Sequence, residues 1–172
     1  MCERYIVEGK FDKLILEKIG INGSEIQSAN GKENVLRLFR LGNSGCYIID
    51  GNEEGYNKIV EGFDGNKDPP ILAIGNKKLI ILGDPSDDFK GSMESLLLKL
   101  IECDEKVRNF LHGINLNKSQ RDKVKLVLLT FLKTSDYEIF FSVERFASKV
   151  VEIIGKDKIR DELKKLKIVD PT

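Results

Sequence analysis

Residues 4–20, RYIVEGKFDKLILEKIG, run from a strand pattern through a Glu-Gly turn into a helix pattern. Residues 4–7 are β-branched and aromatic, as a buried strand requires. Phe11, Leu14, Ile15 and Ile19 then recur at helical spacing, and Gly20 marks a stop. The same order returns downstream. Residues 25–29 (EIQSA) read as a weak strand and Asn30-Gly31 as a turn. Residues 32–42 read as a helix with Val35, Leu36 and Phe39 on one face, and Gly45–Asp50 as an apolar strand ending in an acid. Strands alternating with helices predict right-handed crossovers and a mainly parallel sheet.

Beyond Asp50 the pattern predicts a short helix over 56–61 and a loop over 62–70. A hairpin over 71–82 turns at Gly75-Asn76 and adds an antiparallel edge. An acidic loop follows at 83–91. From Ser92 onward the signal is helical, with helices over 93–102, 117–133, 140–154 and 156–166. Asn117 is an N-cap and Gly155 a stop. Charge rises and His112-Gly113 breaks the pattern between 103 and 117. A soft boundary there separates an α/β domain, 1–103, from a helical extension packed on it, 104–172. The expected fold class is α/β: a mainly parallel sheet flanked by helices, with a C-terminal helical extension.

In 172 residues, 28 Lys and Arg balance 28 Asp and Glu, so strong nonspecific attraction to nucleic acid is not expected. Cys2, Cys46 and Cys103 are scattered, without metal-ligand spacing, and read as reduced thiols in a cytoplasmic protein. No apolar run reaches about 18 residues, so no membrane span is expected.

Ligands of a parallel sheet gather outside the carboxyl ends of its strands. Glu8 ends the first strand and Asp50 the third, and right-handed connections make both strands central. Adjacent strands lie about 4.8 Å apart. Two carboxylates that close repel unless a cation lies between them, and a hard divalent ion prefers oxygen ligands.

Residues 7–12, VEGKFD, resemble the Glu-Gly opening motif of Toprim domains. Residues 48–55, IIDGNEEG, resemble their Asp-x-Asp-x-x-Gly motif. Residues 79–98, LIILGDPSDDFKGSMESLLL, are similar to the closing segment of a family of small uncharacterised Toprim-like prokaryotic proteins, in which Gly-x-Leu-Glu opens a helix. Here Met93 stands for that Leu. The resemblance spans about the first hundred residues and extends to the nucleases of the overcoming-lysogenisation-defect type. It implies Mg²⁺- or Mn²⁺-dependent, nuclease-like phosphodiester chemistry on DNA or RNA; a tyrosine transesterification is not expected, since that machinery needs another large domain. The implied ligands are Glu8, Asp12, Asp50, Asn52 and Glu94. Glu8 would also act as general base and Lys10 would steady a phosphate oxygen.

One position departs from the motif. Its second acid is Asn52, which offers a carbonyl but no charge. A degenerate Toprim-like module that binds nucleotide, RNA or a protein partner without cleaving is therefore the alternative. A homodimer is a third reading, if Ile139, Phe140, Phe141, Val143 and Phe146 form an exposed stripe rather than local core.

Plainer roles stand beside the sharp ones. Asp12 and Glu94 each suit a first helical turn through the helix dipole. Asp84, Asp87 and Asp88 suit a solvated loop, and Lys77-Lys78 an edge-protecting pair. Lys118, Arg121 and Lys125 suit the outer face of a helix whose apolar face is Val124, Val127, Leu128 and Phe131. His112 suits a helix end, and Tyr5, Tyr47, Tyr56 and Tyr137 suit core positions.

Overall fold

The computed structural model describes residues 2–169. Residue 1 and residues 170–172, the outermost parts of the two expected segments, lie outside them. Strand β1 (Tyr5–Val7) leads into helix α1 (Lys10–Lys18), and β2 (Ile26–Ser28) into α2 (Lys32–Leu41). Then come β3 (Gly45–Asp50), α3 (Gly55–Val60), β4 (Asn66–Asp68), β5 (Ile71–Ile74) and β6 (Lys77–Leu82). The helical remainder is α4 (Met93–Leu98), α5 (Glu105–Leu111), α6 (Lys118–Thr134), α7 (Val143–Ile154) and α8 (Lys156–Lys165).

The six strands form one sheet in the order β2-β1-β3-β6-β5-β4. The first four in that order are parallel; β5 and β4 run antiparallel to their neighbours. The fold is α/β, as expected. Alternate residues feed two cores. Tyr5, Val7, Cys46, Ile48, Ile80 and Leu82 pack with α1, α4 and the C-terminal helices. Ile6, Tyr47, Ile49, Leu79 and Ile81 pack with α2 and α3. Both faces of the central strands are therefore covered, which is why GCYIID reads as a continuous apolar run.

The first core does not stop at residue 103. Leu126, Phe146, Ala147, Val150, Ile159 and Leu163 join residues of β1 and α1 in one cluster. Tyr5 Oη donates to the Ile168 carbonyl at 3.2 Å, so the first strand touches the end of the helical region. Ser95 Oγ donates to Asp122, joining α4 to α6.

Several expectations need correction. β4 lies inside the stretch read as a loop; its three residues are all exposed, so no apolar alternation announced it. β6 is not an edge but sits between β3 and β5. Lys77 accordingly protects no edge; its ammonium donates to the Phe39 carbonyl at 2.6 Å. α5 was not foreseen, although Asp104 caps it. The buried positions of α6 are Leu126, Leu129 and Thr130. Val127 and Phe131 pack against the main core, and Val124 and Leu128 against a small cluster with α5. The helix is thus flanked on two sides rather than along one stripe. Tyr137 is 70% exposed, unlike Tyr5, Tyr47 and Tyr56. The foreseen stripe divides: Ile139 and Phe146 are buried, while Phe140 and Phe141 are exposed.

The cysteine reading is also corrected. Cys2 and Cys46 form a disulfide with Cα atoms 5.7 Å apart, and Cys103 is free. Cys46 lies beside Tyr5 in the sheet, so strand pairing brings the residues before β1 within reach. Spacing along the chain carries no such information. Among the described residues, no helix is long and apolar enough to cross a membrane.

Candidate functional site

β1 has β2 on one side and β3 on the other. The chain leaves β1 through α1 on one face and reaches β3 through α2 on the opposite face. This reversal opens a crevice at the carboxyl ends of β1 and β3, the usual ligand position in such sheets. Glu8 follows β1 there, and Asp50 ends β3.

A cavity of about 420 Å³ occupies the crevice, lined by Glu8, Asp12, Asp50 and Glu94 among others. Each acid arrives by a separate route. Glu8 Oε1 accepts the Asp50 amide N–H at 2.7 Å. Asp12, in the first turn of α1, accepts the Gly9 amide N–H at 3.2 Å. Asp50 Oδ1 accepts the Met93 amide N–H at 3.1 Å, at the opening of α4. Glu94 is the next residue of that helix. It is 8% exposed, and its side chain makes no hydrogen bond or ion pair with the described residues.

The electrostatics follow from this crowding. Burial pushes the Asp12 carboxyl up to about 8, and the neighbouring Glu94 and Glu8 add to the rise. Burial, then Asp12, Glu8 and Glu94, holds Asp50 well above its ordinary range. Burial raises Glu8 as well, against the Asp50 N–H bond and the charge of Lys32. Three carboxyls are thus biased toward their neutral forms in the absence of a cation.

No family model, curated protein or solved structure matches the chain.

The expected residues do not all gather. Glu8, Lys10, Asp12, Asp50 and Glu94 line the cavity; Asn52 does not. The Asn52 side-chain oxygen instead accepts from Ser119 Oγ at 3.1 Å. Its backbone exchanges two hydrogen bonds with Gly91, clasping the turn after β3 to the loop after β6. Gly51 is needed at that clasp, because a Cβ there would lie 1.8 Å from the Phe89 carbonyl oxygen. Gly55 has φ +78° and packs against Asp88. Two glycines of the 48–55 motif therefore serve backbone geometry. Lys10 forms an ion pair with Glu144.

The loop acids have partners as well. Asp88 accepts the Asn57 amide N–H at 3.1 Å. Asp84 pairs with Lys99 at 2.5 Å and with Lys118 at 3.7 Å. Partial burial opposes its charge, but hydrogen bonds from Lys99 and Ser86 hold its carboxyl well below the ordinary range. Arg121 donates to the Ile114 carbonyl.

Lys123 of α6 lines the cavity although the sequence did not single it out, and Val143 of α7, expected in an apolar stripe, lines it too. Nothing local distinguishes Lys123 from other lysines on a charged helix face. Its position depends on docking of the α6 N-terminus, where the Lys118 amide donates to Glu53 Oε1 at 2.7 Å.

The oxygen-only set of buried (Asp12, Glu94) and half-buried (Glu8, Asp50) carboxylates fits the chemistry of a hard divalent ion. Among the described residues, no three His, Cys, Asp or Glu side chains are already set as a metal cage. The fit is therefore one of composition and charge, with side-chain rotation required to complete it.

Proposed function

We propose that the cavity binds Mg²⁺ or Mn²⁺ and supports phosphodiester chemistry on nucleic acid, in the manner of a small Toprim-like nuclease. The observation that carries the reading is Glu94, a buried carboxylate without a partner beside three other acids. Buried like charges are costly unless protonated or matched by a cation. Asp50 and Glu94 would hold the ion, with Glu8 and Asp12 within the same cavity. When bound, such an ion polarises a phosphoryl oxygen and lowers the pKa of a water.

The chain's own groups supply the rest. Glu8 takes a proton from the attacking water, its carboxylate oriented by the Asp50 N–H. Lys10, at the start of α1, steadies a phosphate oxygen once free of Glu144. A cytoplasmic setting belongs to the same proposal. The Cys2–Cys46 disulfide argues against it, because such bonds are uncommon in reducing compartments.

A second reading rests on Asn52. Its side chain is committed to Ser119, and it brings no charge to the cavity. That favours a module that binds a nucleotide, RNA or a protein partner without cleavage.

The deciding experiment is calorimetric titration of metal-stripped protein with Mg²⁺ and Mn²⁺, alongside Glu8→Gln and Asp50→Asn. Binding by wild type and its loss in both variants supports the metal site and justifies a cleavage screen over DNA and RNA. No uptake at millimolar metal removes the hydrolytic reading and leaves the binding module.

A further inference from the structure

The acidic cavity also has a basic edge. Lys10 of α1 and Lys123 of α6 line the same space as the four acids. Lys123 is exposed and its side chain makes no hydrogen bond or ion pair with the described residues, although its charge acts on buried Asp12. Lys10 differs, because the Glu144 carboxylate already occupies it. Glu144 follows Val143, which itself lines the cavity. A carboxylate of the protein therefore stands at the rim, on a lysine facing the site.

We propose that Lys10 and Lys123 form an anion-binding edge for the non-bridging oxygens of a phosphate group, and that Glu144 occupies Lys10 until that group displaces it. The proposal rests on the phosphodiester reading above and names the residues that would recognise its substrate. An ammonium offers three donors to phosphate oxygens. The Lys10 and Glu144 side chains are 60% and 54% exposed. An ion pair that exposed is weak enough to exchange. Glu144 would then act as a built-in competitor, lowering affinity for stray anions while leaving Lys123 open for first contact.

The test is titration of the full chain with inorganic phosphate, followed by calorimetry, with and without Mg²⁺. Sulfate serves as a control for general anion attraction. Lys123→Met is expected to weaken phosphate binding roughly tenfold, as for loss of a charge-assisted hydrogen bond. Glu144→Gln is expected to tighten it about threefold, the scale of an exposed ion pair. Adding Lys10→Met to Glu144→Gln is expected to abolish that gain. The exchanged side chains are exposed, and melting curves check that each variant folds; Lys123→Gln provides a second probe of that position.

Equal phosphate affinity in wild type, Lys123→Met and Glu144→Gln overturns the proposal, as does the absence of phosphate binding in either condition. Sulfate binding that follows the same series with equal strength also overturns it, because the edge would then not select phosphate. Mg²⁺ uptake measured without phosphate separates the two readings. Intact uptake with a flat phosphate series removes the basic edge and leaves the metal site. Absent uptake with the stated phosphate series does the reverse.

Discussion

The amide N–H of Asp50 donates to Glu8 Oε1 at 2.7 Å, joining the ends of β1 and β3 through a side chain. One oxygen of Glu8 is thereby structural, while the carboxylate as a whole contributes charge to the cavity. Glu8→Gln keeps an oxygen acceptor and removes only the charge. We expect it to melt at or above the wild-type temperature without metal, yet to bind Mg²⁺ at least about tenfold more weakly. Glu8→Ala removes the acceptor and should cost about 1–3 kcal/mol in chemical denaturation. Equal melting of the two variants would show that the bond contributes nothing.

Stability should depend on pH in a defined direction. Asp12 is raised to about 8 in the fold from an ordinary 3.8. The folded protein therefore binds the proton more tightly than the unfolded chain. This contribution is fully present below about pH 4 and is lost as pH rises toward about 8. Glu8 and Asp50 act with the same sign. In metal-chelated samples, Asp12→Asn should flatten the fall in melting temperature between about pH 5 and pH 8. Adding Mg²⁺ to wild type should flatten it too. A wild-type profile rising across that window contradicts the assignment.

Gly51→Ala should disrupt the clasp between the turn after β3 and the loop after β6. The added methyl would meet a backbone oxygen at 1.8 Å, which no side-chain rotation relieves. A loss above about 2 kcal/mol is expected, within the range for strained or overpacked sites. Denaturant unfolding measures it. Gly62→Ala is the control, since a Cβ there meets nothing within 4 Å.

The helices after residue 103 should unfold together with the sheet. Leu126 is fully buried in the cluster containing Tyr5, Val7 and Ile15. Leu126→Ala is expected to cost about 2–5 kcal/mol and to lower one transition rather than create two. A chain ending at residue 103 should lack cooperative unfolding. Independent melting of that fragment would establish it as a separate domain.

Reduction should destabilise the protein. Closing the loop between Cys2 and Cys46, 44 residues apart, is worth about 4 kcal/mol in the chain-entropy account. Non-reducing mass spectrometry after alkylation should find one modified cysteine, Cys103, and reductant should raise the number to three and lower the melting temperature. Three modified cysteines before reduction exclude the bond.

What was legible in the sequence was local. β3 shows as six residues with an acid at the end, and the stops at Gly20 and Gly155 coincide with positive φ angles. Glu8, Asp12, Asp50 and Glu94 could be singled out because each sits beside a strand end or helix start. β4 was illegible because its Asn-Lys-Asp sequence buries nothing and owes its form to pairing with β5. Lys123 was illegible for a different reason: its approach to Asp12 is created by packing of distant elements. Asn52 shows the converse, since a motif position next to Asp50 is turned by a φ of +48° toward Ser119.

The bond between Tyr5 and the Ile168 carbonyl also bears on the order of events during synthesis. Translation proceeds at about 5–20 residues per second. Tyr5 and Val7 emerge well before α6, α7 and α8, which complete the cover of their sheet face, so that face spends seconds partly exposed on the ribosome. Association with other nascent chains is most dangerous in that interval. The C-terminal helices therefore end a period of vulnerability, beyond any part they take in the cavity.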